Sequence, residues 1–273
     1  MGYLKKLIKW MFLLCVSLYI LGCTYLYFEQ EHIIFHPNKI PVGYQFKFKI
    51  PFEEMYIKTS DNVKLNCLLF KSQEKESKGL VFFLHGNAGN LNDQAAPAEF
   101  YTRLGYDFFV MDYRTFGKSG GEIESEEQFY SDIKLAYSEM KKRYKEESIS
   151  IFGYSIGTGP AAMLASISKP KQLVLIAPYY NMMDMALERY KLVPELILEY
   201  KFETNRFVRE TTVPIAIFHG EKDDVIPFHS STRLAKLLKK TDRFVPLKNQ
   251  DHNLFEQNEV FIKEIKQTLD QKK

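Results

Sequence analysis

The 273-residue sequence predicts an α/β fold, a mostly parallel central sheet with helices on both faces. Apolar runs without polar alternation recur along the chain, and stretches with helical periodicity separate them. A Gly-x-Ser-x-Gly sequence, placed where one apolar run gives way to a helix-like stretch, puts chemistry on that sheet.

The first element stands apart from the rest. From Trp10 to Phe28 there is no charged residue, and about 19 residues rising 1.5 Å each just cross a hydrocarbon core of roughly 30 Å. Lys5, Lys6 and Lys9 precede this stretch, Glu29 and Glu31 come after it, and Trp10, Tyr25, Tyr27 and Phe28 flank it. Residues 1–28 therefore read as a transmembrane anchor or signal segment, and the positive-inside rule puts Met1 in the cytosol and the remaining chain on the other side. Ile20-Leu21-Gly22-Cys23 supports a second reading, a lipoprotein box that leaves Cys23 as a lipid-bearing terminus. Both readings tether the domain to a membrane.

Residues 29–41 read as a connector and 42–273 as the folded domain. Strand-like segments at 55–58 and 63–70, split by Ser60-Asp61-Asn62, form an antiparallel start. The runs 80–84 (LVFFL), 107–111 (DFFVM), 149–152 (ISIF), 173–176 (LVLI) and 215–218 (IAIF) carry no polar face, as strands buried on both sides require. Helices are expected at 126–144, 156–166, 230–239 and 256–269, with a further strand at 244–247. Residues 178–209, rich in Met, Tyr and Leu, interrupt the alternation and read as a helical cap inserted over the sheet.

Composition narrows the function. Lys and Arg number 37 against 34 acidic residues, and without a basic tract this balance gives no footprint for nucleic acid. The three cysteines, Cys15, Cys23 and Cys67, form no C-x-x-C pair and suggest neither a disulfide framework nor a zinc site. Chemistry is concentrated instead on loops after strands, where α/β sheets carry their sites.

Gly153-Tyr154-Ser155-Ile156-Gly157 comes directly after ISIF and opens a helix, the context a nucleophilic serine on a sharp turn needs. A serine needs a base and the base an orienting acid, here in the order Ser, Asp, His. His252, between a strand and the last helix, is the candidate base. Asp223, three residues beyond Gly220, is the preferred acid, with Asp224 as the alternative. The other histidines, His85 and His219 among them, read as structural. The loop His85-Gly86-Asn87-Ala88-Gly89-Asn90 can aim the Asn87 N–H at the same point as the Ile156 N–H, forming an oxyanion hole. Tyr154, Tyr179, Met182 and Met183 are the candidate substrate-binding residues, the last three from an adaptable apolar cap.

Together HGNAGN, DYRTFGKSGG, GYSIGTGPAA, HGEKDDVIP and QDHN resemble the α/β-hydrolase superfamily over residues 50–270, and more closely its N-terminally membrane-anchored serine hydrolases. EQEHIIFHP resembles the linker ahead of the domain in those members. The resemblance implies an α/β-hydrolase fold with an eight-stranded, mostly parallel sheet, no metal or organic cofactor, and hydrolysis of an ester, thioester or lipid-like substrate through an acyl-enzyme. One departure is Thr115, where relatives usually carry glycine; Arg114 beside it reads as an ion-pair residue. Two other functions stay open at this point, a serine peptidase on the same fold and a catalytically silent tethered binding module.

Overall fold

The structure, a computed structural model, describes residues 2–271. The chain opens with helix α1 (Gly2–Phe28), none of whose residues is buried and whose last turns touch the domain through Tyr19 and Tyr27. A short helix α2 (Gln30–Ile34) and a two-residue strand β1 (His36–Pro37) lead into the domain. Strands β2 (Phe52–Lys58) and β3 (Lys64–Phe70) pair antiparallel, Phe52 opposite Phe70, across a turn in which Asn62 takes φ 68°. Asparagine tolerates that left-handed position better than most residues.

The remaining strands are β4 (Leu80–Leu84), the two-residue β5 (Ala88–Gly89), β6 (Asp107–Met111), β7 (Ile149–Tyr154), β8 (Gln172–Ile176), β9 (Ile215–Gly220) and β10 (Arg243–Leu247). The eight-stranded sheet has the order β10-β9-β8-β7-β4-β6-β3-β2. Pairing is parallel from β6 through β10 and antiparallel where β3 joins β6 and β2 joins β3. The expected eight-stranded, mostly parallel sheet is present.

Side-chain direction explains the unbroken apolar runs. Along β4, Leu80, Phe82 and Leu84 enter one hydrophobic cluster while Val81 and Phe83 enter the other, and on β8 Leu173 and Leu175 oppose Val174 and Ile176 in the same way. Both of these strands have a core on each face, so both sets of their positions are mostly apolar.

Helices α3 (Leu91–Gln94), α4 (Ala98–Arg103), α5 (Glu126–Lys141), α6 (Thr158–Ser166), α9 (His229–Ala235) and α10 (Glu259–Asp270) surround the sheet. Side-chain caps set their starts. Ser125 Oγ accepts the Gln128 N–H at 3.1 Å to begin α5, and Asn258 accepts the Phe261 N–H at 3.1 Å to begin α10. The second cap places the start of α10 three residues later than periodicity alone predicts. Between β8 and β9 lies the cap, with α7 (Met182–Arg189) and α8 (Thr204–Glu210). Helix α8 buries Thr204, Phe207 and Val208, whereas α7 buries no residue.

Candidate active site

The sharp turn after β7 is built by two glycines. A Cβ on Gly153 would lie 2.6 Å from the Gly157 carbonyl oxygen, and one on Gly157 would lie 2.2 Å from that of Leu84. No other residue fits at either position. Ser155 itself sits at φ 54°, a strained conformation for a non-glycine residue, and passes through a single tight turn into α6.

Three loops at the carboxyl ends of the strands bring Ser155, His252 and Asp223 together. His252 Nδ1 lies 2.7 Å from Asp223 Oδ2, and His252 Nε2 lies 3.0 Å from Ser155 Oγ. A carboxylate only accepts, so Nδ1 carries the proton and Nε2 is left to accept from the serine hydroxyl. It is Asp223, not Asp224, that meets the imidazole. Gly220 makes this meeting possible: a Cβ there would lie 2.4 Å from the Gln250 carbonyl oxygen, so the loops bearing Asp223 and His252 cross in contact at a bare backbone.

Asp223 is held from every side. Its Oδ1 accepts the N–H groups of Val225 at 2.9 Å and Ile226 at 2.8 Å, and its Oδ2 lies 3.2 Å from His219 Nε2. His219 Nε2 also faces the Ile226 carbonyl at 3.0 Å, so this nitrogen donates, and the Ser231 hydroxyl donates to Nδ1 at 2.5 Å. Burial opposes the Asp223 charge and is the largest single influence. The hydrogen bonds from His219 and His252, the His252 charge and the Ile226 N–H outweigh it and hold the carboxyl well below the usual carboxylate range. His219, expected to be only structural, thus supports the acid directly.

The loop after β4 is fixed by two independent devices. His85 Nδ1 donates to the Gly86 carbonyl at 2.7 Å, which fixes the plane of the Gly86–Asn87 peptide and with it the direction of the Asn87 N–H. The ring stacks on Tyr113 at 4.1 Å, and burial lowers its pKa to about 4, so it is neutral near pH 7. The second device is the connector behind α1. Strand β1 pairs parallel with β5, the His36 N–H donates to the Asn87 carbonyl at 2.7 Å, and Asn87 Nδ2 donates to the Ile34 carbonyl at 2.9 Å. Phe35 drives the connector into the core, packing on Phe116, Phe129, Tyr200 and Phe202.

A cavity of about 220 Å³ opens above Ser155. Tyr179 and Met182 line it with Ile156 and Asn87, whereas Tyr154 and Met183 do not. Tyr154 serves the histidine loop instead: its hydroxyl lies 2.9 Å from the His252 carbonyl and 3.0 Å from Asn253 Oδ1, and its ring packs on the imidazole. Its position at the end of β7 commits its side chain to the side where that loop descends. Sequence reasoning did not place Leu26, Ile33 and Ile34, which line the far wall. The apolar residues in EQEHIIFHP, directly after the long helix, were the available signal.

Arg114 is an ion-pair residue. Its guanidinium is buried and grips Asp132 at 2.6 and 3.1 Å and Asp61 at 2.6 and 2.9 Å. Thr115 beside it sits at φ 71°, the left-handed position in which glycine is free of strain.

Residues 75–206, which carry the candidate nucleophile, match the family described as serine aminopeptidase, S33. An uncharacterized protein of Acanthamoeba polyphaga mimivirus is 27% identical over 261 residues, 84% of this chain and 87% of that one. Human alpha/beta hydrolase domain-containing protein 17B is 26% identical over 237 residues, covering 84% and 78% of the two chains. Protein bem46 of Schizosaccharomyces pombe is 25% identical over 229 residues, covering 78% and 76%. Among solved structures, the Pyrococcus furiosus esterase Pf2001 superposes with a TM-score of 0.68 at 19% identity, over 86% of this chain and 98% of that one. Est1E from Butyrivibrio proteoclasticus, with bound ferulic acid, gives 0.60 at 21% identity, over 79% and 96%. Sheet order, serine-bearing turn and these similarities agree: the chain has the α/β-hydrolase fold and is similar in sequence to alpha/beta hydrolase domain proteins.

Proposed function

We propose that the protein is a membrane-tethered serine hydrolase that cleaves carboxylic ester or thioester bonds through an acyl-enzyme. The observation that carries the reading is the hydrogen-bonded chain from Asp223 through His252 to Ser155, with the serine hydroxyl facing an apolar cavity. In the first half-reaction Ser155 Oγ bonds to the carbonyl carbon as its proton passes to His252 Nε2. The N–H groups of Asn87 and Ile156 stabilise the tetrahedral oxyanion. The bond to the leaving oxygen or sulfur then breaks, and His252 returns the proton to that atom. Water repeats the sequence: its oxygen bonds to the acyl carbon, His252 takes one proton, and the Ser155 Oγ–C bond breaks with that proton restored to the serine. Asp223, held ionised by its four donors, keeps the His252 tautomer and stabilises the imidazolium.

The description of the matched family favours a second reading, removal of N-terminal residues from peptides. That reaction needs a group to hold a free ammonium, and no aspartate or glutamate is among the described residues lining the cavity. An acyl chain with an ester or thioester at its head fits the lining better.

Helix α1 is long and apolar enough to cross a membrane, and the lysines ahead of it favour the non-cytoplasmic side for the domain. A lipoprotein anchored at Cys23 keeps Leu26 to Ile34 attached and leaves the same site intact. The decisive experiment is fluorophosphonate labelling with p-nitrophenyl butyrate turnover, comparing wild type with Ser155→Ala. Labelling and turnover that vanish in the variant support the reading. A folded wild-type protein that neither labels nor turns over the ester sinks it and promotes a silent binding module.

A further inference from the structure

The cavity above Ser155 is assembled from two distant parts of the chain. Its roof is α7, through Met182 and Met185, with Tyr190 just after it, and its far wall is the end of α1, through Leu26, and helix α2, through Ile33 and Ile34. Hydrogen bonds fasten the two parts together. Gln30 donates to the Ile197 carbonyl at 2.8 Å and accepts the Glu199 N–H at 2.9 Å, and the hydroxyls of Tyr27 and Tyr200 bond Glu199 and Glu31, each at 2.7 Å.

The depth of this junction is informative. The Tyr19 hydroxyl donates to the Leu192 carbonyl at 2.9 Å, so the cap touches α1 nine residues before its end, about 13 Å along the axis. Around that contact Leu192 is 77% exposed and Leu196 94% exposed, both turned outward from the domain. Lys191 and Glu195 beside them exclude the hydrocarbon centre and fit the headgroup level, where long side chains reach out to water. The 27 residues of α1 span about 40 Å; Lys5, Lys6 and Lys9 hold its first turns at the opposite surface, and Tyr25, Tyr27 and Phe28 hold its last turns at the interface that faces the cap.

We infer that the membrane-proximal end of α1 is a wall of the acyl-binding site, and that the substrate is a long-chain acyl ester or thioester whose tail enters the cavity from the bilayer. This rests on the hydrolase reading above. The lining is mostly apolar and runs from Ser155 to Leu26 and Ile33, so the carbonyl end of an acyl chain lies at the serine while its distal part lies along α1 in lipid. The helix then has two functions: it tethers the domain, and it completes the site that the tail occupies.

The test uses the full chain in phosphatidylcholine vesicles, with p-nitrophenyl butyrate and p-nitrophenyl palmitate as probes. Ile33→Trp fills the cavity from a half-exposed position that tolerates bulk, and Leu26→Trp does the same from α1. Each lowers the palmitate-to-butyrate turnover ratio by roughly tenfold or more, the size expected when an apolar pocket loses room for several methylenes. A ratio within about twofold of wild type in both variants overturns the inference. Labelling by fluorophosphonate with an unmoved ratio condemns only this inference, whereas absence of both labelling and butyrate turnover in wild type condemns the hydrolase reading itself. A second variant, Leu192→Asp with Leu196→Asp, reads the route rather than the room: palmitate turnover in vesicles falls relative to turnover in detergent micelles. An unchanged vesicle-to-micelle ratio overturns entry from the bilayer. Parallel assays with a lysophosphatidylcholine and an S-palmitoyl peptide identify the source of the chain, and loss of whichever activity is present in Ile33→Trp supports the shared acyl site.

Discussion

The floor and the roof of the cavity are built on opposite principles. The floor, which carries Ser155, His252 and Asp223, comes from loops at the ends of buried parallel strands, and its polar groups are tied by several bonds each. It also holds strained backbone, Ser155 at φ 54° and Thr115 at φ 71°. The roof is α7, none of whose residues is fully buried; Arg233 pairs with its Asp184, and the segment after it is bonded through Ile197 and Glu199 to Gln30 just beyond α1. The contrast teaches where each property is encoded. On the proposed function, the geometry of the reacting groups is over-determined by the sheet, whereas substrate choice falls to an element with few anchoring contacts.

The largest expected effect attacks the floor at its acid. Asp223→Asn removes the acceptor that fixes the His252 tautomer, and kcat falls by about four orders of magnitude, as loss of the acid does in other triads. Asp224→Asn, one residue on, leaves kcat within a few-fold; equal losses in the two variants would break the assignment. Next is His85→Ala, which frees the Gly86–Asn87 peptide. Losing one oxyanion donor costs about 10² to 10³ in kcat, so the loss lies near the lower end of that range with little change in KM. A KM effect alone would show that the loop binds substrate rather than the transition state.

A smaller effect concerns the stability of the floor. Asp112 lies beneath the oxyanion loop, its carboxylate so close to Gly117 that a Cβ there would sit 1.9 Å from Oδ2. Burial raises its pKa from 3.8 to about 8; the nearby Asp93 charge also raises it, and Lys118 opposes. The folded state therefore keeps a proton that the unfolded chain loses. That contribution is complete below about pH 4 and is lost as pH rises to 8. Urea midpoints of Asp112→Asn should lack this decline between pH 5 and pH 8, and an unaltered slope would refute it. On the roof, Arg233 stacks over the Tyr180 ring at 3.7 Å and pairs with Asp184 of α7. Arg233→Ala loosens α7, raising KM for a long-chain ester by up to about fivefold while kcat holds, since a partly exposed pair contributes about 1 kcal/mol or less. A fall in kcat without a KM change would place α7 in the floor's machinery.

The same contrast governs what the sequence reveals. The sheet was legible because strands with a core on each face admit no polar alternation, and the serine-bearing turn because Gly153 and Gly157 stand where any Cβ collides. Asp223 and His252 fell at strand ends in the order the chemistry uses. The wall was not legible. Leu26 and Ile33 meet the cap some 160 residues later in the chain, and no periodicity records a contact of that kind. Nor was the pairing of His36 and Pro37 with Ala88 and Gly89, because a two-residue strand has no pattern. Tyr154 was misplaced for a related reason: its residue type suits a pocket, but the loop it packs against is set by tertiary structure.

The smallest expected effect tests whether strain in the floor is required. Thr115 occupies the left-handed region with a β-branched side chain, which costs about 1 to 2 kcal/mol, and its hydroxyl gains only weak contacts to Gly121 and Glu122 at 3.5 and 3.3 Å. Glycine removes that cost but adds about 0.5 to 1 kcal/mol of backbone entropy in the unfolded chain. The balance favours Thr115→Gly by about 0.5 to 1 kcal/mol, and the melting temperature should rise by about 1 to 4 °C. The neighbouring Gly117 exchanges backbone hydrogen bonds with Asn38 and Ile40 of the connector, which in turn holds the oxyanion loop. If the strain only reflects a replaceable residue, the glycine variant is more stable and kcat is unchanged. If the threonine holds this loop in the one conformation that braces the connector, stability rises while kcat falls, and strain at Thr115 joins that at Ser155 as part of what positions the site.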